Sequence, residues 1–369
     1  MIDGVPVINA VAHAYNLSEA NARGPVGGMV RDGFYGIHAH FNPDGWRLPP
    51  EVFQSDQSAE LLARTHFLES DVDLIAYHTL RLDSLFADGL CSAAKNEELA
   101  QRWPHRVVSY VGVDPTLGTD ACLREMDAQL ERLPGAVGLK MYPDQVEPYR
   151  TFRMDDEALM GPIYQRCQDA GLKVVAVHKA LPNGPVPLAP YRIDDVEAVA
   201  MTHPGLSFEI VHSGMAFVEE TAYALARFPN VYANLEITTM LLSKAPRLFA
   251  EALATFLYWG GPSKIFYSDG ALFTHPQLCL PAFWDLELPE DLLARYDLPQ
   301  LTREDKAAML SGNYARVLGL DLDDLARRWA DDEFGRARAE RDGALDAPWT
   351  AFHAERGLPA PEPAVAAAA

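Results

Sequence analysis

Four histidines, a lysine and two carboxylates in this chain stand where an apolar run, mostly β-branched, gives way to turn-forming residues. His13 follows Val-Ile-Asn-Ala-Val-Ala, His78 follows Leu-Ile-Ala-Tyr, His178 follows Val-Val-Ala-Val and His212 follows Phe-Glu-Ile-Val. Lys140 closes Val-Gly-Leu, Glu236 closes Val-Tyr-Ala-Asn-Leu and Asp269 closes Ile-Phe-Tyr-Ser. Imidazole and carboxylate together suit Zn, Mn or Fe. An ion held by them acidifies a bound water or leaves open positions for oxygen. A single histidine at such a place is most often a satisfied structural residue. Four histidines and two carboxylates at one position of successive units are hard to explain as core packing, because burying a polar group is unfavourable unless it is paired.

Those runs read as eight strands: 6–13, 71–78, 106–115, 136–143, 173–179, 208–214, 230–236 and 264–270. Helical patterns at 120–133, 155–170, 193–202, 216–227 and 245–259 separate most of them, and 83–103 reads as a broken helix. Strand and helix in alternation predict an α/β protein, a (β/α)8 TIM barrel, whose ligands bind at the carboxyl ends of the strands. A doubly wound open sheet is the rival, but it usually offers a glycine-rich phosphate loop after its first strand, and none is seen. The expected domain is 1–320, with 14–70 as a long insertion after strand 1. Residues 321–369 are a helical extension that ends in a disordered tail.

Within the insertion, 59–70 looks helical and the remainder is broken by Gly24-Pro25, Gly27-Gly28 and Pro49-Pro50. Its His38-Ala39-His40 pair does not follow a strand. With Tyr35 and Trp46 it is expected to form a lid or substrate-pocket wall. Other aromatics after strands, among them Tyr15, Tyr142 and Phe273, suit core and rim packing or a roomy apolar pocket. His66 and His105 are expected at the surface, and His275 near the mouth of the barrel.

The net charge of −21 argues against nucleic-acid or anionic-membrane partners, which need Lys and Arg. No apolar run approaches the length of a membrane span and no signal segment is visible, so a cytoplasmic protein acting on a small molecule is expected. The 4 cysteines form no Cys-x-x-Cys pair, so buried reduced thiols are expected rather than a zinc knuckle or disulfides.

Across positions 5–320 this set resembles the amidohydrolase superfamily, in its amidohydrolase-related branch of decarboxylases and hydrolases. The matching positions are His178 and His212 at strands 5 and 6, Asp269 within Tyr-Ser-Asp-Gly, Gly138-Leu-Lys140, and Gly312-Asn-Tyr-Ala-Arg316. Three positions depart from the pattern. Strand 1 reads Asn9-Ala-Val11-Ala-His13 where the family has Asp-x-His-x-His; strand 7 carries Glu236 in place of Ser or Thr; strand 2 adds His78. By resemblance the metal ligands are then His13, His78, His178, His212, Glu236 and Asp269, enough for two ions. His212, Glu236 and Lys140 are the catalytic candidates, and Lys140 would bridge the ions if carbamylated.

That ligand set is similar to the amidohydrolase-fold non-haem di-iron monooxygenases of platensimycin and platencin biosynthesis. The resemblance implies two Fe, O2 as co-substrate, and hydroxylation of a large hydrophobic terpenoid or acyl-thioester in natural product biosynthesis. The alternative it implies is the family's default. One Zn or Mn held by His13, His178 and Asp269, with His212 as acid/base, would hydrolyse a C–N or ester bond or decarboxylate an aromatic acid. A homo-oligomer is expected on family grounds alone. A decayed, non-enzymatic barrel would lose strand-end polar groups rather than add them.

Overall fold

The computed structural model describes residues 1–182, 184–270, 272–359 and 361. Its main sheet runs in sequence order, every neighbouring pair parallel. The strands are β1 (Ile8–Ala12), β2 (Leu74–His78), β3 (Val107–Gly112), β4 (Gly138–Met141), β5 (Val174–His178), β6 (Ser207–Val211), β7 (Val231–Asn234) and β8 (Ile265–Phe266). Helices cover nearly all of them on the outside, so the strands are buried on both faces. That is why they read as continuous apolar runs.

The last strand is two residues long, and side chains complete its seam with β1. The Ala10 amide donates to Tyr267 O at 3.1 Å. The Asn9 amide oxygen accepts from Ser268 Oγ at 2.9 Å and from the Asp269 amide at 3.3 Å. With this seam the eight strands form a nearly closed barrel, the TIM-barrel architecture that the sequence predicts.

Strand side chains alternate, so His78 continues the row of Leu74 and Ala76, and His178 the row of Val174 and Ala176; these four apolar residues share one core cluster. Glu209 also lies within the barrel. Its carboxylate accepts from Tyr110 Oη at 2.6 Å and from Asn234 Nδ2 at 2.9 Å. Burial raises the Glu209 carboxyl to about 7. Tyr110 fits only because position 138 has no side chain: a Cβ there would lie 2.3 Å from its ring.

Three local readings are corrected. Residues 83–103 are not one broken helix: a short hairpin (Leu80–Arg81 with Leu90–Cys91) precedes a helix at Ala93–Arg102. The insertion before residue 59, read as a connection broken by glycine and proline, holds α1, an 18-residue helix at Gly24–Phe41. Its five glycines, each about 1 kcal/mol poorer than Ala in a helix, hide the pattern. One of them is required, because a Cβ on Gly27 would meet Leu85 O at 2.5 Å. His66 is buried on the helix Ala59–Phe67 rather than exposed.

The C-terminal extension contains helices at Leu322–Asp331, Glu333–Ala339 and Thr350–Glu355. Trp349 Nε1 donates to Trp46 O at 2.6 Å, and the Ala351 amide donates to Glu69 at 2.7 Å. Residues 360 and 362–369, where a disordered tail is expected, lie outside the described residues. No helix among the described residues is long and apolar enough to cross a membrane.

Candidate active site

The carboxyl ends of β1, β5, β6 and β7 bring His13, His178, His212 and Glu236 to the wall of one cavity of about 370 Å³. All four are nearly inaccessible, His212 the most open at 4 %. His212 follows β6 with φ +68°, and Ile237, just after Glu236, has φ +63°. Neither is glycine, and a β-branched residue in this region is strained by roughly 1–3 kcal/mol. The strain turns the chain at the two places where imidazole and carboxylate meet.

The polar groups form a chain. His178 Nε2 donates to Leu181 O at 2.5 Å, which leaves Nδ1 as an acceptor for His212 Nε2 at 2.8 Å. On its other side, His212 Nδ1 lies 2.5 Å from Glu236 Oε2 and 3.3 Å from the Glu236 carbonyl. A proton is therefore shared between imidazole and carboxylate at that end. Glu236 Oε1 is buried without a hydrogen-bond partner. His13 Nδ1 donates to His78 O at 3.2 Å, so its lone pair is on Nε2. Burial holds the His13 and His178 imidazoles well below their ordinary range. The nearby Lys140 adds to the shift at both, after the His212 charge at His178. Both are neutral; the His13 lone pair is open, while that of His178 accepts from His212 and is released only if His212 turns away.

Several expected site residues stand elsewhere. His78 stacks on Tyr110, with ring centroids 3.9 Å apart, and is not in the cavity wall; both of its ring nitrogens are buried without partners. Asp269 is drawn into the β1–β8 seam. Asn9 Nδ2 donates to its Oδ1 at 2.9 Å, and His66 Nε2 lies 3.6 Å from Oδ2. Lys140 is buried behind Tyr142, its Nζ 5.4 Å from that ring's centroid, and burial lowers its ammonium to about 8.

Of the expected pocket wall, Tyr35, His38, His40 and Trp46 do not line the cavity. His38 is wholly buried: it donates to Phe273 O at 2.8 Å, accepts from the Leu48 amide at 2.8 Å and stacks on Phe53. His40 is exposed on α1. Trp46 packs against His275. The wall comes from another face of the same helix, through Met29, Val30, Gly33, Phe34 and Ile37, and from Tyr15, Tyr142, Leu181, Ile237 and Phe273. The 30, 34, 37 spacing is a helical signal that the glycines obscure. His275 is buried, 3.1 Å from Glu69 Oε2, and does not line the cavity.

A family model described as Amidohydrolase matches residues 36–320. The chain belongs to the amidohydrolase family. No curated protein matches it. Among solved structures this amidohydrolase resembles an uncharacterized TIM-barrel protein from Bordetella bronchiseptica, at 17% identity and TM-score 0.59 over 86% of this chain and 98% of that one. It also resembles 2,6-dihydroxybenzoate decarboxylase complexed with 2,6-dihydroxybenzoate, at 13% identity and TM-score 0.52 over 85% and 99%. A third similar fold is 5-carboxyvanillate decarboxylase from Novosphingobium aromaticivorans, with bound manganese, at 12% identity and TM-score 0.53 over 86% and 98%. At these identities the structural likeness concerns the fold. None of these structures is described as a monooxygenase, and they give the di-iron expectation no support.

Proposed function

We propose that this amidohydrolase-family enzyme is a divalent-metal-dependent hydrolase or non-oxidative decarboxylase of a small molecule. The observation that carries the reading is Glu236, with one oxygen against His212 and the other without a partner beside a cavity lined by three imidazoles. A buried carboxylate oxygen left unsatisfied is unfavourable unless a donor or cation meets it. The donor types suit Zn, Mn or Fe. By that test His13, His178 and Glu236 would hold the ion, with manganese the first candidate because a decarboxylase of this fold binds it. Among the described residues no three such side chains already converge on a point, since His178 and His212 are bonded to each other.

A bound ion would polarise a substrate carbonyl or acidify water. The chain's own part is proton handling. His212 takes or returns a proton through Nε2, while Glu236 Oε2 orients the ring and balances the charge it acquires. The apolar wall of α1 and Phe273 excludes bulk water. The test is metal content and turnover on a panel of aryl carboxylates and aryl esters. One ion per chain is expected, lost in His13→Ala, His178→Ala and Glu236→Gln, with activity unchanged under strict anaerobiosis.

A second reading, oxygen-dependent hydroxylation at two irons, draws on the apolar cavity. It would need His78 and Asp269 to join the other four donors. Two irons per chain and oxygen uptake matched to product would favour it over the first.

A further inference from the structure

The imidazole N–H groups of the cavity wall are committed to the protein. His13 Nδ1 donates to His78 O, His178 Nε2 to Leu181 O and His212 Nε2 to His178 Nδ1, while His212 Nδ1 is held against Glu236. A substrate oxygen gains most from a donor that is not already bonded. Tyr15 is such a donor. It lines the cavity two residues after His13, and the two ring centroids are 5.2 Å apart. Among the described residues Tyr15 hydrogen-bonds through its main chain alone, although only 3 % of it is exposed. A nearly inaccessible hydroxyl without a partner is unfavourable unless a ligand meets it. A phenol carries its proton at neutral pH, so this hydroxyl arrives as a donor.

The chain holds Tyr15 in place at both ends. Gln57, wholly buried, bonds its main chain twice: Gln57 Oε1 accepts from the Tyr15 amide at 3.1 Å, and the Gln57 amide donates to Tyr15 O at 2.9 Å. The residues on either side are tied too, Ala14 O to Lys95 Nζ at 3.0 Å and the Asn16 amide to Leu90 O at 2.8 Å. Phe34 and Phe273 pack against the ring, with centroids 5.9 and 5.1 Å from it. A donor fixed this firmly needs little reorganisation when charge gathers on its acceptor. Tyr142, the other phenol of the wall, is used differently: its ring stacks on His178 at 4.3 Å and has Lys140 Nζ 5.4 Å from its centroid.

We propose that Tyr15 is a catalytic residue of this site, its hydroxyl donating a hydrogen bond to the oxygen at the substrate's reacting end. The bond is strongest when that oxygen carries most charge. The phenol keeps its proton throughout, so Tyr15 transfers no group. The assignment rests on the metal-dependent reading above, because it sets that oxygen beside His13, and it serves hydrolysis and decarboxylation alike. Gln57 is then the positioning residue for Tyr15.

The experiment compares full-length Tyr15→Phe with the unaltered protein, both incubated with manganese. The probes are benzylphosphonate, whose oxygens carry charge, and Nile red, a neutral apolar dye. Tyr15→Phe keeps the ring, so metal content, thermal midpoint and dye affinity are expected to stay as they are. Affinity for the phosphonate by calorimetry is expected to fall about tenfold or more. For whichever aryl carboxylate or ester the unaltered protein turns over, kcat/KM is expected to fall about 10²-fold. Equal phosphonate affinity in the two proteins, or none in either, would overturn the assignment. So would a parallel loss of dye affinity, which would mark a packing role, a loss of metal, which would make Tyr15 a ligand, or the same phosphonate loss in Tyr142→Phe with none in Tyr15→Phe. If manganese is bound and phosphonate affinity does not change, the assignment fails and the parent reading stands. If the unaltered protein takes up no metal and Tyr15→Phe still loses the phosphonate, the parent reading fails and the assignment stands.

Discussion

Glu236 serves two directions at once, and its replacement should separate them. Glu236→Gln keeps the shape but cannot balance a charged His212. Activity is expected to fall about 10²- to 10³-fold, within the usual range for acid–base groups, with bound metal falling in parallel by elemental analysis. His38 gives a prediction in stability. It accepts the Leu48 amide through Nε2, so that nitrogen must stay unprotonated, and burial lowers the imidazole to about 4. In the unfolded chain it titrates near 6.5, so its contribution is complete above that pH and is lost as pH falls toward 4. That is roughly 3 kcal/mol over the window. Urea unfolding of His38→Gln should show a flatter pH dependence between 7 and 4.5 than the parent protein.

Strand ends were legible because most strands are short, β-branched and finished by one polar residue; β5 was read to within one residue of each end and β6 to within three. The helix α1 was not, because its glycines erase propensity and only its neighbours make it a helix. Those glycines differ in kind. Gly27 lies against the Leu85 carbonyl, whereas a Cβ on Gly28 would meet nothing within 4 Å. Gly28→Ala should therefore stabilise by about 0.5–1 kcal/mol, and Gly27→Ala should destabilise by about 1–3 kcal/mol despite the same gain in propensity. Thermal melts of the two variants check the contrast. Missing the helix also misplaced the pocket wall: His38 and His40 drew attention by type, while the apolar row of Val30, Phe34 and Ile37 faces the cavity.

Taken whole, the molecule places its site at the barrel mouth beneath a helix clamped from the far end of the chain. Sequence types alone could not show that Asp269 belongs to the β1–β8 seam, because that depends on Asn9 and His66 arriving from 260 and roughly 200 residues away. The clamp itself is Trp349, buried at 2 % exposure, T-shaped against His38 and bonded to the Trp46 carbonyl. Trp349→Ala should lower unfolding free energy by about 3–5 kcal/mol in urea. It should also weaken dye binding in the cavity, since α1 loses its outer support. Because a ribosome emits this tryptophan after every barrel strand, the helix over the mouth receives its fastening last. A nascent chain can thus complete its scaffold while the pocket still stands open.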